Sequence, residues 1–268
     1  MKKSLSIVAA ALALLMAVSC GQRQKSAKNA QAEEKTEAEI QAEQLIKIHL
    51  DSLANELTKV NPIGIVGDVK NGKVVLSESE KLVKPDYLVD AAFANDLQTL
   101  SQKYRAIAVL SVDNEIAKLY EMPVTAYNEA LAKLYADVND PALKAFSEGI
   151  ELKEAVNSFY TASKENGREP LFWDAITTAL VEQMYIASKN SDKFLAAFDD
   201  QTASDFTWYV SLLTVAIEDL ASINPEYAGL NETLKPLTKI NAISVAQFKE
   251  QLDSIKDEIA ESHANILK

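Results

Sequence analysis

One cysteine, two histidines, seven glycines and seven prolines are spread over 268 residues. A lone thiol forms no internal disulfide and no cysteine cluster for structural zinc. His49 and His263 have no second ligand three or four residues away, so the HExxH zinc arrangement is missing. No GxSxG elbow, SxxK set, GxxxxGK[ST] loop or GxGxxG turn occurs. Basic residues are also short, 27 Lys and Arg against 39 Asp and Glu for a net charge of −12, which excludes the basic stripe of a nucleic-acid binder. Few glycines and prolines leave little turn punctuation, while abundant Ala, Leu, Glu and Lys favour helix.

What is present begins with the leader. Lys2 and Lys3 precede an apolar run, Leu5–Val18, interrupted only by Ser6. A spanning helix needs about 20 apolar residues, so this shorter run reads as an export signal. Ala17 and Ser19 follow, then Cys20. The arrangement resembles the lipobox of bacterial lipoproteins, with Ala17 where leucine is usual. That resemblance implies loss of residues 1–19 and acylation of Cys20, for example by palmitate, as the membrane anchor. Losing Lys2 and Lys3 makes the mature chain more acidic still. Adsorption to anionic lipid is then disfavoured, and attachment rests on acyl chains worth about 0.8 kcal/mol per buried CH₂. Arg23, Lys25 and Lys28 follow the cysteine with no aspartate or acidic cluster beside it. In lipoproteins that pattern points to the periplasmic side of the outer membrane. The HxxE pair of imelysin-like helical lipoproteins is absent.

Residues 20–39 hold almost no large apolar side chain and read as a flexible spacer. Residues 40–268 read as a single all-α domain, an irregular bundle of about eight helices. Ile46, Leu50, Leu53, Leu57 and Val60 form one helical stripe, as do Phe206, Tyr209, Leu213, Ile217 and Leu220. A third comprises Phe248, Leu252, Ile255, Ile259 and Ile266. Leu171–Ile186 is apolar around more than one face, as a central helix should be. Thr202 with Asp205, and Ser244 with Gln247, have capping-box spacing. Ser111–Asn114 is polar enough to interrupt its helix. Residues 62–85 carry three glycines and the Asn71-Gly72 pair between β-branched runs, which predicts a small β-hairpin or a loop.

Both histidines read as solvated. The concentration of aromatic residues within 171–220 is the candidate binding region, with Phe172, Trp173, Phe206, Trp208 and Tyr209 as its residues. Trp208 falls off the apolar stripe and is expected at the surface as an anchor. The expected function is a lipid-anchored envelope protein that binds or scaffolds a protein partner, with no cofactor, metal or nucleic acid. The alternative is small-molecule or glycan binding in an aromatic pocket. A third reading is a hydrolase acting through paired carboxylates such as Glu33-Glu34 or Asp199-Asp200.

Overall fold

The computed structural model describes residues 36–60, 64–143 and 152–266. The leader, Cys20 and most of the spacer lie outside the described residues. The chain divides into two units, residues 1–51 and 52–268.

In the first unit the described structure is the opening of helix α1 (Glu37–Leu57). Thr36 starts it with a reciprocal cap: Thr36 N donates to Glu39 Oε2 at 2.7 Å and Glu39 N donates to Thr36 Oγ1 at 3.3 Å. Ile46 and Leu50 are buried, as their stripe requires.

The second unit is all helix among the described residues, with no strand. After α1 come α2 (Ile65–Lys70), α3 (Glu78–Leu82), α4 (Leu100–Leu119), α5 (Thr125–Val138), α6 (Leu152–Glu165) and α7 (Glu169–Lys189). Then follow α8 (Ser191–Phe194), α9 (Asp200–Ile223), α10 (Ala228–Leu234), α11 (Val245–Ser254) and α12 (Lys256–Ile266). Three short 3-10 turns lie at Ala91–Asp96, Pro225–Tyr227 and Leu237–Lys239. The helices outnumber the expected eight because several are only one or two turns long, too short to show a periodic stripe.

Helix α7 is the axis of this unit. It packs most extensively on α4 and also touches α2, α6, α8, α9, α10, α11 and α12. All-round burial explains its all-round apolar surface. Helix α4 runs unbroken through Ser111–Asn114, because Asp113 and Asn114 turn inward and find partners there. It starts at the Thr99–Gln102 capping box. Helix α9 starts earlier than the Thr202–Asp205 spacing implies: Asp199 accepts from Thr202 N at 2.8 Å. The strictly spaced C-terminal stripe is buried as expected, but Ile255 divides it into α11 and α12.

The expected hairpin at Asn71-Gly72 is a helix stop. Gly72 has φ +69°, and Lys73 N donates back to Asp68 O at 2.8 Å, closing α2 in a Schellman-type turn. A type I′ turn and a helix C-terminus both demand a left-handed residue, so the Asn-Gly signal does not separate them. A Cβ on Gly72 would meet nothing within 4 Å. Gly72→Ala should therefore cost only the left-handed backbone penalty, about 1 kcal/mol, read as a lower urea midpoint with an unchanged slope.

Candidate functional site

Six polar side chains interrupt the apolar surface of α7: Glu169, Asp174, Thr177, Thr178, Glu182 and Gln183 are all buried. A buried charge without a partner is costly, so α7 has to recruit partners from its neighbours. Asp174 is fully buried and takes Arg105 of α4, whose Nε donates to Oδ1 at 2.6 Å, together with the Ser101 hydroxyl. Burial pushes the Asp174 carboxyl up, against the opposing pull of Arg105. Asp140, beyond α5, similarly receives the Tyr104 hydroxyl, Asn166 Nδ2 at 3.1 Å and Ala142 N at 2.9 Å, with Arg168 at 3.5 Å.

Deeper along α7, three titratable groups from three helices converge. Glu182 of α7 is 0 % exposed, Asp113 of α4 is 0 % exposed and His263 of α12 is 6 % exposed. The Asp113 and Glu182 carboxyls share a hydrogen bond, and His263 Nε2 lies 2.7 Å from Glu182 Oε2. Both contacts need a proton between the heavy atoms. Among the described residues the only other donor to the set is Val89 N, which reaches Asp113 Oδ2 at 2.8 Å. No hydroxyl or other N–H among the described residues serves Asp113 Oδ1 or the Glu182 oxygens.

Burial pushes Glu182 up to about 8. It pushes Asp113 up to about 9, with the neighbouring Glu182 charge adding and the Val89 N–H opposing. Burial also holds the His263 imidazole down to about 4, the Asp113 carboxylate opposing and the Lys189 ammonium adding. Near neutral pH the protons therefore reside on the carboxyls, and Glu182 donates to a neutral imidazole. The ring stacks flat on Tyr185, centroids 3.9 Å apart at 7°, and Lys189 Nζ lies 4.1 Å from the Tyr185 ring centroid. Among the described residues no group of three or more His, Cys, Asp or Glu side chains is placed to hold a metal ion.

His263 is thus a core residue, contrary to the expectation of a solvated side chain near a frayed end; His49 is half-buried. The signal was available, since Ile259, His263 and Ile266 share one face at spacings of four and three. Glu182, a charge set among Val181, Met184 and Ile186, was the matching signal.

The five aromatic candidates are not brought to one place. Phe172 and Trp173 are sealed in an edge-to-face cluster with Phe159 and Tyr160. Phe206 meets Phe248 of α11 at 4.9 Å and 89°, and Phe198 approaches the same ring at 5.6 Å. Tyr209 is buried in α9. Trp208 stands apart, 43 % exposed. Against models of protein families, curated proteins and solved structures alike, the chain finds no match.

Proposed function

We propose that the chain is a bacterial envelope lipoprotein: a helical body carried on acylated Cys20 at the periplasmic face of the outer membrane, acting by binding a protein partner. The observation that supports this reading is the contrast between the two tryptophans. Trp173 is consumed by ring contacts inside the core, while Trp208 on α9 is left 43 % exposed. An exposed indole on a rigid helix is the side chain most often found anchoring a protein interface. The aromatic rings that a ligand pocket within 171–220 would need are instead packed edge to face against one another. Carboxylate-dependent glycoside hydrolysis needs two carboxyls about 5–9 Å apart across an open cleft. Asp113 and Glu182 touch, and both are sealed from solvent.

Two measurements test the proposal. A fatty-acid analogue fed to expressing cells should label the wild type and leave Cys20→Ala unlabelled; equal labelling defeats the anchor. A photo-crosslinker at Ser211, exposed one turn beyond Trp208, should yield a discrete protein adduct in intact envelopes. That adduct should disappear with Trp208→Ala. An adduct indifferent to Trp208, or none at all, counts against partner binding at this face.

A further inference from the structure

Helix α12 is the last described element, and it reaches the body through its seats on α7 and α10. Its apolar contribution, Ile259 and Ile266, brackets His263. The centre of its contact with α7 is therefore an imidazole pressed against a carboxyl, in a site where Asp113 of α4 supplies a second carboxyl. Such a junction holds only while its protons are present. Without them, two carboxylates face one another in a sealed, low-dielectric space with one backbone N–H as donor.

We propose that Asp113, Glu182 and His263 form a proton-held latch, in which protons shared across α4, α7 and α12 keep the C-terminal helix seated and their removal unseats it. Among the described residues the surroundings give these carboxyls no compensating cation of their own. From the segment before the 3-10 turn comes Tyr87, from the end of α4 Tyr120, from α5 Tyr127, and from α7 Tyr185 and Lys189. Asp90 lies near Tyr127 and adds negative potential. Burial pushes Tyr87 up and Tyr127 up to about 12, so neither phenol ionises in the working range. Lys189 is exposed and lies over the Tyr185 ring, with Tyr87 5.8 Å away, where it disfavours an imidazolium at His263. On α10 the titratable side chain is Glu232, exposed and paired with Lys235. On α12 itself Lys256, Asp257, Glu258 and Glu261 are exposed. On α2, Asp68 pairs with Lys73, while Lys70 sits 4.0 Å from Glu115.

The sign follows from linkage. Carboxyls whose folded-state affinity for protons is raised stabilise the closed form fully below the ordinary carboxylate value of about pH 4, and that stabilisation is lost progressively as pH rises to about 8 for Glu182 and about 9 for Asp113. His263, whose affinity is lowered, acts oppositely, but only on the acid side of neutrality. Rising pH from about 6.5 to 9 should therefore loosen α12 selectively, each proton lost contributing up to about tenfold per pH unit to the opening constant.

Hydrogen exchange of the full acylated chain in detergent micelles tests this, after correction for the base-catalysed intrinsic rate. Between pH 6.5 and 9, peptides from 256–266 should lose more than tenfold in protection relative to peptides from 100–110 of α4. Asp113→Asn combined with Glu182→Gln should flatten that difference. Equal loss of protection in the two regions, or an undiminished difference in the double variant, overturns the proposal. Should the double variant not fold, carboxyl ¹³C titration of the wild type decides. Protons held at pH 6.5 and shed by pH 9 support the latch, whereas carboxylates already ionised at pH 6.5 overturn it. Protection of α12 that appears only with added zinc or manganese would also overturn it, in favour of a metal-held junction.

Discussion

Trp173→Ala should lower the unfolding free energy by about 3–5 kcal/mol, the usual loss for truncating a large buried aromatic side chain. Trp173 is 0 % exposed, and its ring meets Phe172 at 5.1 Å and Tyr160 at 6.1 Å in edge-on geometry. Truncation would delete both contacts and leave a cavity at the junction of α6 and α7. The indole Nε1 has no hydrogen-bond partner among the described residues, so no polar interaction is lost with it. Trp173→Phe keeps an edge for its neighbours and removes that buried N–H, and should cost less than half as much. Trp208→Ala is the control and should change stability by no more than about 0.5 kcal/mol, since its indole is at the surface. Urea melts of the three variants separate these outcomes, and a Trp208 variant as unstable as the Trp173 one would contradict the assigned environments.

Removal of Arg105 should have an effect of similar size, one that acid relieves. Breaking a buried ion pair by deleting one member typically costs about 3–5 kcal/mol, because the remaining charge has no compensation. Asp174 is fully buried and Arg105 is its cationic partner. In Arg105→Met the carboxyl, already pushed up by burial, loses the group that opposes the shift. The folded form then takes up a proton that the unfolded chain releases above about pH 4. Stability contributed by the protonated carboxyl is present below that pH and lost as pH rises, so the variant should recover on acidification from pH 7 towards 5. Pairing Arg105→Met with Asp174→Asn should restore most of the loss at pH 7. A single variant whose deficit is the same at both pH values would show that Asp174 does not depend on Arg105 for its charge.

The helical class was legible because apolar spacing survives where helices are long. The stripe of α9 and the all-round apolar surface of α7 both lie where their spacing places them, in the core. Turn chemistry was less legible. Asn71-Gly72 announces a left-handed residue, and whether a helix precedes it is decided by α2 packing on α4 and α7. The polar site was hidden for a different reason. Asp113, Glu182 and His263 come from three helices far apart in sequence, and single-helix periodicity says nothing about which faces meet. What a sequence can show is an isolated charge on an apolar face, and Glu182 and His263 are both of that kind. The aromatic candidates were chosen by local density, yet Phe172 and Phe206 are separated because their rings answer to different neighbours, Tyr160 and Phe248.

The axial helix also constrains the order in which the molecule can be made. Glu182 meets its imidazole only when α12 has been made, and until then α7 lacks one of its walls. Assembly is therefore governed by contacts distant in sequence and slows accordingly.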